Sequence, residues 1–157
     1  MSSSDSRKQK SGQAAPRRFG KLPPRYRFIL NPYPDQRFSS CPDCRKLTKW
    51  RKFVLVVHID PLHLLAQNIR CRFCPDCDLL IVHQDELEAQ LAIHLSEHFP
   101  AAVGNDYLVL GTMERIAWRL NRSNPKPLPE ILDHVADFQE VLTIKVRPAG
   151  WYRDDEE

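Results

Sequence analysis

All five cysteines of the 157-residue chain fall in two short stretches, Cys41-Pro-Asp-Cys44 and Cys71-Arg-Phe-Cys74-Pro-Asp-Cys77. A Cys-x-x-Cys turn places two sulfurs on one side of a tight loop. Zinc takes four ligands at tetrahedral corners and favours thiolate sulfur, so two such turns supply a complete shell. Proline at the second position stiffens each turn and removes a donor that would otherwise need a partner. The repeated Cys-Pro-Asp-Cys tetrapeptide makes Cys41, Cys44, Cys74 and Cys77 the natural quartet. A rival set pairs Cys71 with Cys74 and leaves Cys77 over, and spacing alone permits both. In Ile69-Arg-Cys-Arg-Phe73 apolar and charged residues alternate as on a half-buried strand. The simpler reading there makes Cys71 a small buried apolar residue.

The two turns resemble the knuckles of zinc-ribbon domains, over about residues 38–83. The resemblance implies a small antiparallel sheet held by structural zinc; rubredoxins bind iron with similar knuckles, so iron is the minority option. The chain departs from that pattern twice. The position after the second cysteine, often glycine, holds Arg45 and Asp78, and Asp tolerates a left-handed backbone better than Arg does. In addition, 29 residues separate Cys44 from Cys74, against about 15–20 in the common pattern. The surplus is assigned to Asp60–Asn68. Thiol-redox catalysis wants Cys-Pro-x-Cys at a helix N-terminus. Here Lys49–Ile59 and Leu79–His83 follow the turns, and both read as strands. Structural disulfides suit neither an odd cysteine count nor a chain without a signal-peptide pattern.

A second cluster lies in His94-Leu-Ser-Glu97-His98, which matches the H-x-x-E-H pattern of inverzincin metallopeptidases. The spacing puts His94 and His98 one helical turn apart. The bulky fold and further acidic ligand of those enzymes are not evident, so a small metal-dependent hydrolase using His94, Glu97 and His98 stands third among the functions considered. No Ser/His/Asp set, phosphate-binding glycine loop or paired-carboxylate motif stands out. The expectation is a protein without catalytic activity.

Charge points elsewhere. The net charge of +3 hides a split: residues 1–27 carry +7, residues 28–72 carry +5 and residues 73–157 carry −9. Such asymmetry fits an anionic partner for the N-terminal half or a self-complementary assembly. Arg45, Lys46, Lys49, Arg51, Lys52, Arg70 and Arg72 crowd around the cysteine turns and form the candidate nucleic-acid surface. DNA or RNA is therefore the first expected partner. A protein partner docked by the acidic half, with zinc purely structural, is the alternative.

The elements that must position these residues follow from pattern. Residues 1–21 are Ser-, Lys- and Arg-rich with almost no large apolar residue, and read as a disordered basic tail. Tyr26–Leu30 reads as a strand, followed by the turn-rich Asn-Pro-Tyr-Pro-Asp stretch. A helix after His83 is signalled by Leu87, Leu91 and Leu95, with Asp85 as its cap and Glu88 completing a capping box. A short strand over Asp106–Leu110, a helix from Met113 to about Asn121, a helix from Pro129 to about Asp137 and a strand from Phe138 to Val146 complete the reading. The expected class is α+β: a zinc-ribbon-like antiparallel sheet over residues 22–83, an α/β extension packed on it over 84–150, and an acidic tail over 151–157. No apolar run approaches the ~18 residues of a membrane span, and thiolates that must stay reduced suit the cytoplasm.

Overall fold

The computed structural model describes residues 19–144, so most of the expected basic tail, the end of the last expected strand and the acidic tail lie outside the described residues. Seven strands form one sheet: β1 (Arg27–Asn31), β2 (Lys49–Ile59), β3 (His63–Cys74), β4 (Leu79–His83), β5 (Tyr107–Met113), β6 (Val135–Asp137) and β7 (Glu140–Leu142). Their spatial order is β6-β5-β2-β3-β4-β1-β7. Among the described residues, three α-helices accompany them, α1 (Gln84–His98), α2 (Arg115–Ser123) and α3 (Leu128–Leu132), with a 3-10 turn at Pro100–Ala102.

The two edges of this sheet are β6 and β7, yet only Phe138 and Gln139 separate them in sequence. Three peptide steps span at most about 11 Å. The sheet must therefore curl until its edges nearly meet. The segment before β1 spans the seam: Leu22 bridges Ala136, the Arg25 amide donates to Asp137, and the Gln139 amide donates to Tyr26. Inside the curl, alternate residues of five strands make the main core, among them Phe28, Phe53, Leu55, Val57, Leu65, Ile69, Phe73, Leu80 and Val82. Phe138 stacks on Phe28 with ring centroids 4.3 Å apart, which closes the seam from within. Leu87, Leu91 and Leu95 of α1 join this core, as the four-residue recurrence requires.

The opposite face splits into two smaller apolar clusters. One, around Ile29, Leu79 and Ile81, carries Cys41, Cys44, Cys74 and Cys77; the other, around Val54, Val56, Met113 and Val135, is covered by α2. Gly111 lies where β5 shifts register against Val56 and Val57, and a Cβ there would meet the Ala136 carbonyl oxygen at 2.1 Å. Only glycine lets β6 approach so closely.

The α+β class stands, with several corrections. The sheet is mixed, because β1 runs parallel to both β4 and β7. The Asp60–Asn68 surplus is part turn and part strand: a short turn precedes β3, and the extra residues lengthen the β2–β3 hairpin into a ladder from Lys49↔Phe73 to Ile59↔His63. Asp85 does not cap α1. The helix begins at Gln84, its N-cap is His83, and no side chain bonds that cap. Met113 does not start a helix; it pairs with Val135 at the end of β5, and α2 begins at Arg115. The helix expected to Asp137 stops at Leu132, because Val135–Asp137 is taken by pairing with β5. No helix among the described residues is long and apolar enough to cross a membrane.

Candidate metal centre and the basic face beside it

The second Cys-Pro-Asp-Cys turn is the β3–β4 hairpin turn itself, since β3 ends at Cys74 opposite Leu79. The first is a smaller hairpin: Ser40 bridges Leu47, the Cys41 amide donates to Lys46, and the Arg45 amide donates to Cys41. Thr48 pins its base by donating from Oγ1 to the Phe38 carbonyl at 2.7 Å. The residue after each second cysteine adopts the left-handed conformation, Arg45 at φ 66° and Asp78 at φ 52°. The two turns thus share one backbone shape without glycine, and Arg45 accepts the cost of order 1 kcal/mol that this conformation carries.

Together the turns bring the Sγ atoms of Cys41, Cys44, Cys74 and Cys77 within 4.8 Å of one another. Cys44 to Cys74 is 3.5 Å and Cys41 to Cys77 is 3.9 Å. Sulfurs about 2.3 Å from a tetrahedral zinc stand about 3.8 Å apart, so the quartet fits a four-thiolate ion. Cys41 and Cys74 are buried and the other two half-buried, inside a shell of Ile29, Phe38, Leu79, Ile81 and Leu142. Backbone amides face the sulfurs: Asp43 N–H donates to Cys41 at 3.4 Å, and the Lys46 amide holds the Cys44 thiol below its ordinary range. Burial and the three neighbouring thiols push Cys77 up to about 12, and burial raises Cys74 as well. Four adjacent thiolates are unfavourable on their own, and a multivalent cation removes that repulsion. The four cysteines can therefore hold a metal ion with a closed shell.

Cys71 is elsewhere. It is 0% exposed in the main core, on the opposite face of β3 from Cys74, and its thiol contacts the Ile69 carbonyl at 3.3 Å. Burial pushes it up to about 12, which suits a neutral thiol.

The basic candidates divide by strand parity. On β2 and β3, Trp50, Lys52, Arg70 and Arg72 share the outer face, with Trp50 opposite Arg72 and Lys52 opposite Arg70. The guanidinium groups of Arg70 and Arg72 lie 4.0 and 3.9 Å from the Trp50 ring centroid. Arg51 and Lys49 belong to the other face; Arg51 spreads over Phe53 and Phe73 at 4.8 and 5.4 Å. Lys46 is paired with Asp76, which ties the two cysteine turns together. Arg45 is exposed at its turn. Beyond this set, Arg27 bridges Asp43 at 2.6 Å and Glu140 at 3.2 Å, joining the first turn to β1 and β7.

His83 escaped sequence reasoning. It is buried, its Nδ1 lies 3.0 Å from Asn31 Nδ2, and its ring is edge-on to Trp50 at 6.1 Å. Burial first, then the Arg37 and Arg72 charges, lowers its pKa. The one signal was a lone imidazole at the end of an otherwise apolar strand. The other histidine cluster is looser. The rings of His94 and His98 are 4.6 Å apart and Glu97 is 3.9 Å from His98, on the outward side of α1. Among the described residues, only the four cysteines form a group of three or more side chains at metal-ligand spacing.

No family model, curated protein or solved structure matches this chain. The site's own geometry therefore carries the functional argument.

Proposed function

We propose that this chain is a non-enzymatic, zinc-braced module that binds nucleic acid through the face bearing Trp50, Lys52, Arg70 and Arg72. The observation that carries the reading is the pairing of Lys52 directly opposite Arg70, with Arg72 next along the strand. Like charges opposite one another destabilise a sheet. A polyanion lying across the two strands turns that repulsion into attraction, and displaced counterions add to it. Zinc suits the four thiolates as a structural ion, with no coordination position open to substrate. The two cysteine turns then work as zinc-ribbon knuckles do. Iron fits the same shell, and metal analysis of the purified protein separates the two. Ligands that must stay reduced suit the cytoplasm.

The test is fluorescence anisotropy with short single-stranded RNA and DNA, using the metal-loaded full chain at two salt concentrations. Lys52→Gln and Arg70→Gln should each weaken binding and reduce the salt slope by about 1. Unchanged affinity and slope in both variants would overturn the assignment to this face.

One observation favours a second reading, a protein-assembly factor. On α2, Ile116 and Leu120 are 72% and 60% exposed and border a groove of about 570 Å³ with Met113, Ala117 and Ile131. A concentration-dependent mass in sedimentation that Leu120→Asp abolishes would support it.

A further inference from the structure

His83 is 1% exposed, yet one of its ring nitrogens has no partner among the described residues. The Asn31 amide is oriented by its oxygen, which accepts from the Tyr33 N–H at 3.0 Å. Its Nδ2 therefore donates to Nδ1 of His83, and the proton of the neutral ring is on Nε2. That Nε2–H is buried with no acceptor among the described residues, and so is the Nε–H of Arg72. Both groups flank Trp50, the guanidinium 3.9 Å from the ring centroid and the imidazole 6.1 Å from it. Buried donors are almost always paired, so two orphans beside one side chain call for an acceptor with several oxygens.

The surrounding charge says which acceptor. Arg37 pairs with Asp85 and Glu86, and Arg70 shares Glu86 at 3.8 Å. Arg72 makes no ion pair among the described residues, so it is the surplus cation of the group. A guanidinium edge beside a neutral imidazole N–H matches a phosphate, which offers separate oxygens to each. Trp50 is 41% exposed and rests against the Arg70 and Arg72 guanidinium groups. A polyanion that recruits those two groups frees the indole.

We propose that Arg72 Nε–H and His83 Nε2–H together hold one backbone phosphate of the bound strand, with Trp50 as its movable cover. The inference rests on the nucleic-acid reading above and names the atoms that would do the holding.

The test follows the ¹⁵N-histidine spectrum of the metal-loaded full chain, first with inorganic phosphate and then with a short single-stranded oligonucleotide. Both should move the His83 Nε2 resonance. Arg72→Lys keeps the charge but loses the Nε–H, and should weaken oligonucleotide binding about tenfold at an unchanged melting temperature. Suppose instead that the oligonucleotide binds and Lys52→Gln weakens it, while Arg72→Lys binds as wild type and the His83 resonance stays still. The phosphate site is then wrong and the nucleic-acid reading stands. If no oligonucleotide binds, that reading falls, and the phosphate titration decides alone. A moving His83 resonance keeps the oxyanion site for free phosphate; a still one overturns it.

Discussion

Cys74, Arg72 and Arg70 are successive residues on one face of β3, and they serve two regions built in opposite ways. At the cysteine end, complementarity is satisfied within the chain. Asp43 has Arg27, Asp76 has Lys46, Asp78 has Arg25, and amides point at the sulfurs. At the Trp50 end it is left incomplete: Lys52 faces Arg70, and two buried donors have no acceptor among the described residues. A leftover donor costs about 1–3 kcal/mol when nothing occupies it. A region whose task is stability has no reason to carry that cost. On the proposed reading, the first region braces the fold and the second binds the partner.

The largest expected effect tests the bracing. Cys41→Ser with Cys74→Ser removes one ligand from each turn, so the metal content should fall to zero. The first turn has little core of its own, and stability should drop by more than about 4 kcal/mol, the range that follows loss of a structural metal. Metal analysis and thermal melting check this together. An unchanged melting temperature would mean that the turns hold by their hydrogen bonds and ion pairs alone.

A middle-sized effect separates Cys71 from the quartet. Cys71→Ala should keep the full metal content and cost about 1–2 kcal/mol for the lost buried sulfur. Cys71→Ser should cost more, because it places a strongly hydrated hydroxyl in an apolar core. A drop in bound metal in either variant would contradict the geometry.

The quartet was legible because its signal is local: an identical tetrapeptide occurs twice, and each copy folds as its own hairpin turn. Strands β2 and β4 were legible for the same reason, as runs of β-branched and aromatic residues. The curl of the sheet was not. It depends on β6 and β7 reaching opposite edges through a two-residue link, and three-residue strands carry almost no periodicity of their own. The seven basic candidates were readable as a group but not as two faces. Period-2 alternation separates Lys52 from Arg51, but setting Lys52 beside Arg70 requires the register against β3. His83 was hidden because its meaning comes from Asn31 and Trp50, each far away in sequence.

The smallest expected effect is a pH dependence at the Trp50 end. Burial and the charges of Arg37 and Arg72 lower the His83 pKa, while Asp85 and Glu86 oppose them. The folded state therefore binds the proton less readily than the unfolded chain, whose histidine titrates near 6.5. Above that value the ring is neutral in both states and its contribution to stability is fully present. As pH falls below about 6.5, the unfolded chain takes up the proton first, and the contribution is lost down to the folded pKa. His94 shifts in the same direction, from burial and the neighbouring His98, so the wild-type profile holds both groups. The profile of His94→Gln lacks the His94 contribution and keeps that of His83. The difference between melting at pH 7.5 and pH 5 should survive in that variant and shrink in His83→Gln. It should also shrink when an oxyanion is added, because an anion at Arg72 favours the protonated ring. A profile untouched by phosphate would leave His83 as a buried structural histidine and move recognition to Lys52 and Arg70 alone.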